Sequence, residues 1–120
     1  MRFGWRTLLY ALHLKGREAL AKDVARIVVD TLREHGLLFW EPFKDPLWQP
    51  EYHNALRYCQ AYGLVEISFS SDVRLKLTEE GAKVAELIGS SLPKDVKATV
   101  ERLVNRTAKE RQQAPRGKRP

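Results

Sequence analysis

The chain has 120 residues, of which 43% are hydrophobic and 30% are charged, with a single cysteine. These values are typical of one globular domain with its own core, and one cysteine excludes a disulfide framework within the chain. No stretch is apolar for long enough to span a membrane, so we expect a cytoplasmic protein without a membrane partner.

The net charge of +6 is concentrated at the C-terminal end. Residues 1–101 contain 14 Lys or Arg and 14 Asp or Glu, whereas residues 102–120 contain seven Lys or Arg and only one acid, Glu110. Such a basic segment either keeps the terminus soluble or binds a polyanion, and we expect contact with DNA or RNA phosphates. The cations to which we assign this contact are Arg111, Arg116, Lys118 and Arg119.

Two helices are predicted before residue 37. Trp5, Leu8 and Leu12 recur at helical spacing, which predicts a helix over residues 5–14. A second helix is predicted over residues 18–35, with Gly36 as a suitable terminator. The apolar stripe of this second helix consists of Leu20, Val24, Ile27, Val28 and Leu32.

Residues 37–50, LLFWEPFKDPLWQP, form an apolar insertion that cannot be one long helix. Its three prolines lack a backbone donor and disfavour helical angles at the residues before them. The side chains of Trp40, Phe43 and Trp48 could cover a groove between helices, bind a protein partner or stack on unpaired bases. We assign these three residues to a partner-binding site.

A helix followed by a hairpin is predicted over residues 50–77. One face of this helix is apolar and is expected to point inward; it consists of Tyr52, Leu56, Cys59 and Tyr62. Gly63 then ends the helix, because glycine readily adopts the left-handed conformation of a helix C-terminus. The next apolar residues alternate with polar ones, which predicts a hairpin with one apolar face: Val65, Ile67, Phe69, Val73, Leu75 and Leu77.

Two further helices complete the predicted chain. Thr78 is a suitable N-cap for a helix over residues 79–90. Pro93 favours the start of a last helix over residues 94–110, and a disordered basic tail is expected beyond it. The apolar stripe of the last helix would either pack on the domain or form a homodimer, and we assign it to dimerisation: Val96, Val100, Leu103 and Val104.

The stretches Gly63-Leu64-Val65-Glu66 and Leu77-Thr78-Glu79-Glu80-Gly81 flank the predicted hairpin. The order of helix, hairpin and helix resembles the winged helix-turn-helix superfamily of DNA-binding proteins over about residues 5–90. The resemblance implies an α+β, mostly helical winged-helix domain over residues 1–92, with a two-stranded β-hairpin wing. It leaves residues 93–110 as an additional C-terminal helix and 111–120 as the tail. The insertion at 37–50 departs from the superfamily, in which the turn has three or four residues.

The resemblance also implies a nucleic-acid site on the third helix and the wing. The helix before the hairpin would be the recognition helix, with outward side chains suited to bases and phosphates: His53, Asn54, Arg57 and Tyr58. Arg74 and Lys76 would contact the phosphate backbone from the outer face of the second wing strand. The alternatives are an ordinary solvated helix face, and ion pairs of Arg74 and Lys76 with Glu66.

The residue patterns do not favour catalysis. His13, His35 and His53 are far apart without metal-ligand spacing, and no phosphate-binding glycine loop or nucleophile motif is present. Cys59 falls on the inward helical face, where a thiol is a poor nucleophile. We therefore expect no enzyme activity, no cofactor and no metal.

Two functions are consistent with the sequence. The first is a winged-helix DNA-binding protein, a dimeric transcriptional regulator that binds duplex DNA, with RNA as the second nucleic-acid class. The alternative is a non-catalytic winged-helix interaction module of a larger nucleoprotein assembly, in which the aromatic insertion binds a protein partner. The balanced charge of residues 1–101 and the acidic Glu51 near the start of the third helix favour this alternative.

Overall fold

The computed structural model describes residues 3–38 and 40–117, with side chains as far as residue 109. This part of the chain contains five α-helices and three strands, in the order α1 (Gly4–Leu14), β1 (Glu18–Leu20), α2 (Ala21–Glu34), α3 (Pro50–Ala61), β2 (Val65–Phe69), β3 (Val73–Leu77), α4 (Glu79–Ser91) and α5 (Lys94–Gly117). A single 3₁₀ turn, Pro46–Trp48, precedes α3. The fold is α+β, as predicted.

The first helix, α1, lies at the centre of the core. It packs against α2, α3, α4 and α5, and most of its side chains are buried. Leu8, Leu9 and Leu12 are fully buried, as their helical spacing predicts. The second helix adds its own apolar stripe to the same core, with Val24, Ile27, Val28 and Leu32.

The sheet has three antiparallel strands in the order β1-β3-β2, one strand more than the predicted wing. Two consecutive left-handed residues, Gly16 (φ 83°) and Arg17 (φ 79°), turn the chain from α1 into β1. Ala19 of β1 then lies opposite Leu75 of β3. The predicted hairpin is present as β2 and β3, but the sequence analysis missed the third strand. The prediction of a helix from residue 18 is wrong, because pairing with β3 keeps Glu18, Ala19 and Leu20 extended.

Hydrogen bonds join the end of α3 to the start of α4. Thr78 is the N-cap of α4, and its Oγ1 accepts from the backbone N–H of Gly81 at 3.0 Å. The same hydroxyl donates to the carbonyl oxygen of Gly63 at 2.6 Å, and the Thr78 N–H donates to the carbonyl oxygen of Leu64 at 3.0 Å. The two stretches that carry the resemblance are thus in direct contact.

The last helix, α5, packs against α2 and α1 of its own chain. The side chains of its apolar stripe are buried there: Val96, Val100, Leu103 and Val104. Tyr10 of α1 donates to Glu101 Oε2 at 2.8 Å, which adds a polar contact to this packing. The assignment of the four apolar residues to a dimer interface is therefore wrong, because they form part of the core of this chain.

The backbone of α5 continues to Gly117, beyond the predicted helix end at residue 110. The prediction of a disordered tail is therefore wrong for the backbone of residues 111–117. The continuation, RQQAPRG, contains Arg, Gln and Ala, which favour a helix even without an apolar stripe, whereas its Pro115 and Gly117 do not. Residues 118–120 lie outside the described part of the chain.

The finer assignment to the winged-helix superfamily stays a prediction. The structure has the predicted hairpin between two helices, but it adds a third strand and a long C-terminal helix. Among the described residues, no helix has both the length and the apolar composition needed to cross a membrane.

Candidate nucleic-acid interface

The outward face of α3 presents two of the four side chains predicted for base contacts. Asn54 and Arg57 are exposed, and neither side chain makes a hydrogen bond or an ion pair within the described part of the chain. They are three positions apart and therefore neighbours on one helical face. The opposite face is buried and contains Tyr52, Ala55 and Cys59.

Close packing of its inward face holds α3 in place. A Cβ atom at Gly4 of α1 would lie 3.4 Å from the Cβ of Ala55, an ordinary van der Waals distance, so α1 and α3 pack directly against each other here. The Tyr52 hydroxyl donates to the carbonyl oxygen of Ala21 at 3.4 Å. Cys59 is fully buried, as predicted, and burial raises the pKa of its thiol to about 12. The outward face of α3 is therefore fixed by the core beneath it.

The other two predicted contact residues, His53 and Tyr58, flank this face and stack on other rings. His53 is half-buried, with its ring centroid 6.1 Å from that of Trp48. Tyr58 stacks on Trp5 of α1, with centroids 4.8 Å apart and an interplanar angle of 28°. The structure thus brings all four residues to one side of α3, with Asn54 and Arg57 between the two stacked rings.

Tyr62 is exposed, although its spacing with Cys59 predicts an inward orientation. Its side chain is 67% exposed, and its ring centroid lies 4.7 Å from that of Tyr58. The prediction is wrong because α3 ends at Ala61 and Tyr62 is already the C-cap, where the core no longer covers the helix. Ala55, which the sequence analysis missed, replaces it on the buried face.

The outer face of the sheet carries Arg74 and Lys76, with acids beside them. Arg74 Nε lies 2.9 Å from Glu18 Oε2, so its ion pair is with β1 and the alternative pairing with Glu66 is wrong for this residue. Lys76 is exposed and lies opposite Glu18 on one side and Glu66 on the other. This face therefore offers little net positive charge to a phosphate backbone.

The tip of the hairpin is exposed on its apolar side. Val65, Leu75 and Leu77 are buried as predicted. Phe69 is 75% exposed, and Val73, its partner in the register, is also exposed. The predicted apolar underside is therefore wrong at the tip, because the last strand pair extends beyond the core.

The aromatic insertion also exposes its rings. Trp40, Phe43 and Trp48 are 66%, 52% and 59% exposed, so they do not cover a groove between helices. Exposed aromatic side chains are typical of binding surfaces, and the assignment of these three residues to a partner site stays a prediction. Phe39 lies outside the described residues.

Polar contacts hold the backbone of this exposed segment. Arg33 of α2 donates to Glu41 at 2.7 and 3.1 Å, and Asp45 Oδ1 accepts from the N–H of Leu47 at 2.9 Å. The buried Gln49 donates through Nε2 to the carbonyl oxygen of Phe43. The segment is therefore anchored to α2 and to the start of α3 while its rings face solvent.

The predicted tail contacts are only partly within the described structure. Arg111 and Arg116 belong to the backbone of α5, and their side chains lie outside the description. Lys118 and Arg119 lie outside the described residues altogether. Before this region, Arg102 donates to both carboxylate oxygens of Glu34 at 2.6 and 2.8 Å. Its charge is therefore paired with a carboxylate of the same domain.

No group of three His, Cys, Asp or Glu side chains suited to a metal ion occurs in residues 3–38 and 40–117, within the limits of the described side chains. No protein-family model matches the chain, and comparisons with curated proteins and with solved structures find no match. The function must therefore be argued from the residues of this chain alone.

Proposed function

We propose that this protein is a winged-helix transcriptional regulator that binds duplex DNA through the outward face of α3. The observation that carries the proposal is the pair Asn54 and Arg57. These two side chains are exposed neighbours, and neither makes a hydrogen bond or an ion pair within the described part of the chain. Sequence-specific binding needs such side chains on a rigid helix, because bases are distinguished by hydrogen bonds to their edges.

The chemistry of this pair suits the major groove. The Arg57 guanidinium can donate two hydrogen bonds to O6 and N7 of guanine, and the Asn54 amide can pair with N6 and N7 of adenine. The groove is about 12 Å wide, and an α-helix with its side chains is about 10–12 Å across. Because the inward face of α3 packs on α1, the helix can enter a groove without losing its support.

Phosphate contacts would come from residues around this face. His53 and Tyr58 carry polar groups beside it, and Lys76 is an exposed cation on β3. Arg74 is already paired with Glu18, so its contribution is small. The excess positive charge follows residue 101, which makes the end of α5 the main source of salt-dependent affinity.

Fluorescence anisotropy with a duplex selected from a random-sequence library tests the proposal. We expect the double variant Asn54→Ala, Arg57→Ala to bind at least about tenfold more weakly, because a bidentate base contact contributes about 1–3 kcal/mol. Lys83→Ala is the matched control, since it removes an exposed cation from α4. Equal affinity of the double variant and the control would contradict the proposal.

The exposed aromatic insertion favours a second candidate, an interaction module of a larger nucleoprotein assembly. The side chains of Trp40, Phe43 and Trp48 are more than half exposed, so their rings are not part of the hydrophobic core. Hydrogen bonds of Arg33 and Gln49 hold the backbone of this segment. In this function a protein partner would cover the three rings, and the basic end of α5 would hold DNA or RNA without reading its sequence.

Replacing Arg111, Arg116, Lys118 and Arg119 by Gln distinguishes the two candidates. A regulator that reads bases through α3 keeps its preference for the selected duplex over a scrambled one and loses only affinity. An interaction module held by the basic segment loses nearly all binding to both duplexes. The ratio of the two dissociation constants is the quantity to measure.

A further inference from the structure

Three aromatic side chains form a contiguous cluster beside the proposed DNA-binding face, in which the rings of Tyr58 and Tyr62 are tilted by 40°. Trp5 of α1 stacks on Tyr58 of α3, and Tyr58 packs against Tyr62, with centroid separations of 4.8 and 4.7 Å. We refer to Trp5, Tyr58 and Tyr62 as the aromatic ladder. The sequence analysis did not find it, because Trp5 is far away in the chain and Tyr62 has the spacing of an inward residue.

The ladder is held at one end and open at the other. Trp5 is half-buried, and its carbonyl oxygen lies 3.8 Å from the buried thiol of Cys59. Tyr58 is exposed at the edge of α3, and Tyr62, at the outer end, is the most exposed of the three rings. The described part of the chain stacks no ring beyond Tyr62, so a ligand ring could extend the ladder there without moving the ones beneath it.

Two arginines belong to the same helices as the ladder. Arg6 lies over the Trp5 ring, with its Cζ atom 5.3 Å from the centroid, and the exposed Arg57 directly precedes Tyr58. The two helices that supply the rings contain a single carboxylate, Glu51. It is eleven positions before Tyr62 in the sequence, which is about 16 Å along a helix axis. The best complement is therefore a ligand that joins a planar ring to a negatively charged group. A nucleotide has both features, in its base and its phosphate.

We propose that the aromatic ladder binds an unpaired base of a nucleic-acid strand, which stacks on Tyr62 beside the duplex held by α3. This inference rests on the proposed function and specifies its ligand further, as a duplex with an unpaired nucleotide next to it. Stacking on aromatic side chains tolerates any base, because every base has a π-face. The exposed Arg57 neutralises a neighbouring phosphate.

The test uses the full chain and three ligands: a blunt selected duplex, the same duplex with a short single-stranded adenine extension, and the adenine strand alone. Extensions are placed on the 3′ end and on the 5′ end in separate duplexes. Tyr62→Leu removes the ring but keeps an apolar side chain, and Tyr62→Phe keeps the ring. Tyr62 is an exposed C-cap residue, so circular dichroism should show both variants folded.

We expect the unmodified chain to bind one extended duplex roughly tenfold more tightly than the blunt one. Tyr62→Leu should abolish this preference and leave blunt-duplex binding unchanged, while Tyr62→Phe should retain the preference. Binding of the adenine strand that depends on the Tyr62 ring, without any duplex binding, would support the ladder and contradict the proposed function.

Equal binding of blunt and extended duplexes by the unmodified chain would overturn the inference and leave the proposed function intact. A preference that persists in Tyr62→Leu would also overturn it, because cations elsewhere would account for the effect. Absence of binding to all three ligands would overturn both proposals.

Discussion

At the scale of single residues, Thr78 connects three segments through one side chain. Its hydroxyl caps α4 at the Gly81 N–H and donates to the carbonyl oxygen of Gly63, where α3 has just ended. We expect Thr78→Ala to lower the free energy of unfolding by about 1–3 kcal/mol, because both hydrogen bonds are lost. Urea denaturation measures this, with Thr78→Ser as the control that keeps the hydroxyl. Equal stability of the Ala variant and the unmodified chain would contradict the role.

Gly81 is required by close packing rather than by backbone conformation. A Cβ atom there would lie 1.9 Å from the carbonyl oxygen of Leu64, which belongs to the backbone and cannot rotate away. Although Ala normally favours a helix by about 1 kcal/mol over Gly, we expect Gly81→Ala to destabilise the protein by several kcal/mol or prevent folding. Thermal denaturation compares it with Glu86→Ala, an exposed control on the same helix. A rise in melting temperature would contradict this reading of the contact.

At the scale of elements, α5 is part of the domain and not an appended dimerisation helix. Val100 is fully buried against the body of the chain. We expect Val100→Ala to reduce the free energy of unfolding by about 1–3 kcal/mol without changing the sedimentation coefficient. The control is Asn105→Ala, an exposed position on α5. A shift from dimer to monomer in the Val100 variant at unchanged stability would contradict the packing.

The sequence predicted the helices well, because each has an apolar stripe of local residues. Leu8 and Val100 are buried as their spacing indicates. It could not show β1, since Glu18, Ala19 and Leu20 are held extended by a strand more than fifty residues later. Long-range pairing of this kind leaves no local periodicity. The same limit applies to Tyr62, whose exposure depends on where α3 ends relative to the core.

For the candidate site, the sequence identified the residue types but not their surroundings. Asn54 and Arg57 point outward, as predicted. Helical spacing places them on the side of α3 opposite its buried residues. The Glu18 that engages Arg74 was not predicted, since it belongs to the missed strand. The sequence also could not predict that Trp40 is exposed, because an apolar segment with prolines can lie in a groove between helices or outside it.

At the scale of the whole molecule, the net positive charge is confined to the C-terminal end of the chain. Residues 1–101 carry no net charge, so the excess of +6 lies beyond them. If this region contacts phosphates, the log–log salt slope of binding should decrease in magnitude by up to about 3–4 when Arg111, Arg116, Lys118 and Arg119 become Gln. Anisotropy titrations at several salt concentrations measure the slope. An unchanged slope would remove the C-terminal region from the interface.

The central claim is that the outward face of α3 meets DNA, and amide chemical shifts recorded during a titration with the selected duplex test it most directly. We predict that the largest shift changes fall on α3 around Asn54, Arg57 and Tyr58, with smaller ones on β3 and the end of α5. Changes confined to α5 or to the aromatic insertion, with the amides of α3 unmoved at saturation, would contradict the claim.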